Sequence, residues 1–262
     1  MSRGVARVAG RIGIGALVAL LLAPLQMTSA STHDALDEYL KHIANSLPEK
    51  AAAALREIDG TPRRLLAARA YLRAGGTLHS RWSWTTDEIK EHASSREYRA
   101  LLAEAEKVRL RFEAQNPGYS LYANTEARSL ELQIVRFNTN PCVGTVAASL
   151  HKRALAEIGK SVYDSPDQAD AVERFKRFLA GWRPPAAAPL AAPGISRHGQ
   201  LRAIDFQIMK DGAVVAPTDT ATVNRNWDAA GWTRKLQSAM TGSNFRGPLQ
   251  SPYEPWHYEY DP

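Results

Sequence analysis

Ser196-Arg197-His198-Gly199-Gln200-Leu201-Arg202-Ala203-Ile204-Asp205-Phe206-Gln207-Ile208-Met209-Lys210-Asp211-Gly212-Ala213-Val214-Val215 decides the fold. Side chains alternate across a strand, so Ile204, Phe206 and Ile208 share one face while Ala203, Asp205 and Gln207 share the other. The first face is core, which leaves the second free to hold Asp205 toward a site. Asp211-Gly212 is a turn signal, and Ala213-Val214-Val215 is the returning strand. The stretch therefore predicts a strand over 203–209 in a small, mostly antiparallel sheet, entered through a loop that carries His198.

Working outward, the segment that complements this one is Glu254-Pro255-Trp256-His257, near the C-terminus. His198, Asp205 and His257 offer two neutral nitrogens and one hard anionic oxygen, the donor set that Zn²⁺ accepts with a fourth position left for water. Glu254 stands three residues before His257, where it can reach such a water without being a ligand, as a general base does. Trp256 reads as a packing residue, and Glu259 as either a neighbour of a ligand histidine or an exposed acid.

The flanks of these residues carry a resemblance. Pro193-Gly194-Ile195-Ser196-Arg197-His198, then Ala203-Ile204-Asp205, then Glu254-Pro255-Trp256-His257-Tyr258-Glu259-Tyr260 look like the zinc D-alanyl-D-alanine carboxypeptidases and dipeptidases. That family belongs to a wider group of peptidoglycan-cleaving zinc peptidases that includes lysostaphin-like enzymes and the hedgehog fold. Arg128-Ser129-Leu130-Glu131-Leu132-Gln133 is similar to the family's other signature. The resemblance implies that Arg128 stabilises the oxyanion of a scissile carbonyl. It also implies that Gln133 supports the same substrate pocket. Ser196 is placed with Gln133 in that pocket, bracing the loop by hydrogen bonding, since a zinc hydroxide removes the need for a serine nucleophile. The sequence departs from the family pattern at Ala127, where a tyrosine is usual, and at Leu201, where a glycine is common.

The first half of the chain reads as helical. Apolar residues recur at helical spacing from Asp34 to Leu47, and an alanine-rich helix spans Pro48 to Ile58. Thr61-Pro62 opens a third helix, ended by Gly75-Gly76. Thr85 with Glu88 forms a capping box for one long helix to about Ala114. Tyr119 to Tyr122 alternates as a strand, and Ser129 caps a helix through Phe137. Further helices are predicted over 143–158, 166–180 and 226–240, with a proline- and alanine-rich connector over 183–194 and a last strand over 256–260. His33, His42, His79, His92 and His151 lie in this helical texture without ligand-like pairing, and read as surface or packing residues.

Residues 1–30 read as a cleaved secretory signal, with Arg3, Arg7 and Arg11 ahead of an apolar run from Ile12 to Leu25 and small residues Thr28-Ser29-Ala30 as the cleavage site. The run is too short for a membrane anchor. Removing three arginines from a formal charge of +6 leaves +3. No basic run with interleaved aromatics appears, which argues against nucleic acid as a partner. Cys142, the one cysteine, cannot form an internal disulfide and reads as a small buried apolar residue.

These observations combine into an α+β protein: a signal over 1–30, a helical region over 31–118, and a zinc metallopeptidase domain over 119–262. The expected activity is exported hydrolysis of peptidoglycan stem peptides, as a D-alanyl-D-alanine carboxypeptidase. An endopeptidase of the same fold, a non-catalytic envelope-binding protein and a helical interaction protein are the alternatives.

Overall fold

The computed structural model describes residue 1 and residues 29–163, 165–185 and 189–261; the expected export signal lies almost wholly outside them. The architecture is α+β, with a small antiparallel sheet and helices packed around it. Five α-helices come first in the chain: α1 (Ser29–Asn45), α2 (Glu49–Glu57), α3 (Gly60–Ala74), α4 (Thr86–His92) and α5 (Arg96–Gln115). Then follow β1 (Ser120–Asn124), α6 (Leu130–Thr139), α7 (Pro141–Ile158), α8 (Ala169–Gly181), β2 (Ala203–Lys210), β3 (Ala213–Ala216) and α9 (Trp232–Met240). The chain closes with β4 (Phe245–Arg246), β5 (Leu249–Gln250), β6 (Tyr253–Glu254) and β7 (His257–Tyr260).

Strand β2 is the spine of the sheet. It pairs antiparallel with β1 along one edge and with β3 and β7 along the other, and β4 extends the sheet beyond β7. The Asp211-Gly212 signal is realised as a two-residue turn with φ of 50° and 78° between paired Lys210 and Ala213. Two positive φ values give the turn the twist that a hairpin needs. As alternation predicts, Ile204, Phe206 and Ile208 are fully buried. They meet Leu101, Val108 and Phe112 of α5 and Leu236 of α9 in one apolar core. Each such side chain contributes about 1.5–3 kcal/mol by leaving water, which holds α5 and α9 on that face and leaves the opposite face to Asp205.

A second core joins α1, α2 and α3 to α6, α7 and α8, with Tyr39, Tyr71, Phe137, Leu150 and Phe175 at its centre. Both cores draw residues from either side of position 118, so the helical region and the sheet region are packed into each other rather than strung in series.

Four expectations need correction. The long helix over 85–114 is two helices, because Ser95 turns extended (φ −66°, ψ 156°) and caps α5 by accepting from the Tyr98 amide. The capping box itself is present: Thr85 accepts from the Glu88 amide while Glu88 accepts from the Thr85 amide. The helix over 226–240 is interrupted by Gly231 at φ 74°, so a short π-turn over Asn224–Asp228 precedes α9. The helix placed at 166–180 begins only at Ala169. Cys142 is exposed rather than buried, since Val143, Val146, Ala147 and Leu150 take the inward face of α7.

Candidate metal centre

The register of β2 against β7 sets Asp205 directly opposite His257. Directly opposite residues of an antiparallel pair project to the same face, so two chain segments 52 positions apart are brought together by backbone pairing alone. His198 arrives from a 3₁₀ turn over Arg197–Gln200 that leads into β2. Leu201 reverses the chain at its end in the left-handed conformation, φ 52° and ψ 35°. This is the position where the family that the motifs resemble commonly carries glycine, the residue that adopts such a φ without steric cost. Leu201 holds the turn in spite of that cost, with its side chain buried.

His198, Asp205 and His257 are all buried and together can hold a metal ion. The atoms that converge are His198 Nε2, His257 Nδ1 and Asp205 Oδ1, in a triangle with edges of 3.2, 3.2 and 3.0 Å. Protons alone satisfy this triangle poorly. Asp205 Oδ1 can accept from both imidazoles, but then two N–H groups confront each other across the third edge. A cation above the triangle meets all three lone pairs at once. Ligands roughly 2.0–2.2 Å from a tetrahedral centre lie about 3.4 Å apart, within a few tenths of an ångström of the edges here.

The electrostatics favour the ligating forms. Burial lowers the His198 pKa, and the nearby Arg128 and His257 charges add to that effect against the opposing pull of Asp205. The ring is thus held toward its neutral form, the form that ligates a metal. For Asp205 burial acts the other way, but hydrogen bonds with His198 and His257 outweigh it and hold the carboxyl well below the usual range. Arg128 completes the set: its Nη2 donates to Asp205 Oδ2 at 2.7 Å, leaving Oδ1 for the triangle. Arg128 Nε is buried and has no hydrogen-bond partner among the described residues.

Glu254 is half-buried on β6, where it pairs with Leu249 of β5. Burial pushes its pKa up and the Asp205 charge adds to this, while His257 and Arg128 oppose it. The carboxyl is therefore in electrostatic contact with two of the triangle residues and with Arg128.

Gln133 and Ser196 both take part in hydrogen bonds that hold the histidine loop, as expected of Ser196. Both ends of the Gln133 amide are engaged by the protein: Nε2 donates to the Arg128 carbonyl at 2.6 Å, and Oε1 accepts from the Gly194 amide at 3.0 Å. It ties the Arg128 backbone to the histidine loop. Ser196 braces the loop through its carbonyl, which accepts from Ser83 Oγ at 2.9 Å and from the Gly199 amide.

The support behind the loop is what sequence reasoning missed. The Ser83 amide donates to the Gly194 carbonyl and the Trp84 amide to the Gly199 carbonyl. Gln200 Nε2 donates to the carbonyls of Ser80 and Trp82. Gly199 fits so closely that a Cβ there would lie 2.4 Å from Ser83 Oγ. Residues 80–84 have no helical or strand period; the only signal was two tryptophans in five residues. Of the residues read as structural, Trp256 is buried against Trp227, and His92 stacks on Trp84. Glu259 sits between Arg81 and Arg197. No family model matches the chain, and no curated protein or solved structure matches it either.

Proposed function

We propose that this chain is an exported zinc peptidase that hydrolyses peptidoglycan stem peptides and removes a terminal D-alanine. The observation that carries the reading is the convergence of three buried donors, His198, Asp205 and His257, beside a carboxyl of raised pKa and an arginine with a free buried donor. Two imidazole nitrogens and one carboxylate form a borderline donor set that suits zinc. Zinc bound there would acidify a water and polarise the scissile carbonyl. Glu254 takes the proton of the attacking water and returns it to the leaving amine; its raised pKa suits both transfers. Arg128 has one N–H on Asp205 and its Nε–H left over, a fixed cationic donor for the charge that grows on the carbonyl oxygen.

The substrate class is supported by the three motifs that resemble D-alanyl-D-alanine carboxypeptidases, and export by the reading of residues 1–30. Among the described residues no helix is long and apolar enough to cross a membrane. The test is mass spectrometry of purified peptidoglycan fragments after incubation with the protein. Loss of one terminal D-alanine, abolished by a chelator and restored by zinc, is the expected result. Intact fragments after incubation with folded, zinc-loaded protein overturn the proposal.

A further inference from the structure

A peptidase that removes a C-terminal residue must recognise the terminal carboxylate, and the roles assigned above leave that group without a partner. The face of β7 that carries His257 continues two residues on to Glu259, which pairs across the sheet with Arg246 of β4. Arg81 and Arg197 reach the same place from the supporting segment and from the histidine loop. Together they line a cleft of about 390 Å³ whose wall includes His257 itself. Two guanidinium groups thus face one carboxylate, and Arg246 lines the same cleft, which includes His257 of the metal triangle.

The lone carboxylate does not satisfy them. Glu259 lies 3.7 Å from Arg81 Nη2 and 3.6 Å from Arg197 Nε, beyond hydrogen-bonding range of both. Arg81 Nε and Arg197 Nε are both buried and without a hydrogen-bond partner among the described residues. Arg197 Nη1 is held by Gln200 Oε1 at 2.8 Å, which fixes the fork in place. Among the described residues the Arg246 side chain makes only long hydrogen bonds, 3.4 and 3.5 Å, to carbonyls of its own turn. Unpartnered buried donors are costly, and a forked guanidinium matches the two oxygens of a carboxylate.

We propose that Arg81, Arg197 and Arg246 form the subsite for the C-terminal carboxylate of the peptide, which makes the protein a carboxypeptidase rather than an endopeptidase. Its placement beside His257 puts the last peptide bond, not an internal one, next to the metal triangle. The inference rests on the peptidase reading for its substrate, and binding separates the two. The probes are an N-acetylated peptide ending in D-alanyl-D-alanine and the same peptide as its C-terminal amide. Cleavage of both is measured with zinc-loaded protein. Binding of both is measured by calorimetry with the Glu254→Gln protein, in which turnover should be about 10²–10⁴-fold slower.

The acid is expected to exceed the amide by about 30-fold in kcat/KM and in affinity, the size of a hydrogen bond to a charged group. The ratio should fall to within about threefold of unity in the Arg81→Gln/Arg246→Gln variant, by loss of that same contact. Arg246→Lys, which keeps the charge, should restore part of it. Arg246 is exposed, so the single Arg246→Gln protein serves if the double variant folds poorly. A wild-type ratio near one, a ratio that the variants leave unchanged, or inorganic phosphate binding as tightly as the peptide acid overturns the subsite. If neither peptide is cleaved but arginine-dependent preference for the acid persists in binding, the subsite stands and the peptidase reading falls.

Discussion

Replacing Asp205 by asparagine separates its two roles, as an electrostatic keystone and as a metal ligand. Asparagine is isosteric, so the contacts to Arg128 at 2.7 Å, His257 at 3.0 Å and His198 at 3.2 Å survive in shape but lose the charge. Hydrogen bonds to an ionised group are worth about 1 kcal/mol more than neutral ones, and the strongest here is that of Arg128. Removing one partner of a fully buried pair costs about 3–5 kcal/mol, but the Arg128 side chain is 28% exposed and retains some solvent. These bounds place the loss for the metal-free protein at about 2 kcal/mol. With an m-value of roughly 2–3 kcal/mol/M, the urea midpoint in chelator moves down by about 1 M. Zinc at a thousandfold excess over its Kd adds about 4 kcal/mol to a protein that binds it only when folded. The wild type should gain that increment and Asp205→Asn should gain almost none. An undiminished zinc response in the variant refutes Asp205 as a ligand, whatever happens to the midpoint.

Glu254→Gln should lower kcat by about 10²–10⁴-fold with bound zinc unchanged, read by steady-state kinetics and metal analysis. Because the Glu254 pKa is raised in the folded state, ionising it opposes folding. Its contribution is favourable below the unfolded pKa and is lost as pH rises through the folded one, so in chelator the glutamine protein should melt no lower than wild type at pH 8. Gly199→Ala should cost about 1–3 kcal/mol by differential scanning calorimetry, since its Cβ would lie 2.4 Å from Ser83 Cβ and 2.6 Å from Gln133 Nε2. The lowered His198 pKa has the opposite sign to that of Glu254. Its contribution is present above the unfolded histidine value of about 6.5 and is lost as pH falls through the folded value. Chelated protein should therefore lose stability from about pH 6.5 downward, and His198→Asn should flatten that limb.

Periodicity and turn chemistry alone determined the elements that are local in origin. The strand over 203–209 with its Asp211-Gly212 turn, the Thr85–Glu88 capping box and the Ser129 cap each depend on residues a few positions apart. The donor set His198, Asp205 and His257 was legible for a different reason: only a few side chains can bind a metal, and their spacing shows. Where a helix breaks was not legible at Ser95 or Gly231, because capping there competes with an uninterrupted helical pattern. Tertiary structure alone decided how the triangle closes, since that depends on the pairing of Asp205 with His257 and on a left-handed Leu201. It also decided that Gln133 positions Arg128, that residues 80–84 hold the histidine loop, and that three arginines gather beside His257. Arg81, Arg197 and Arg246 share no spacing in the chain; only strand register and loop support bring their charges to one cleft.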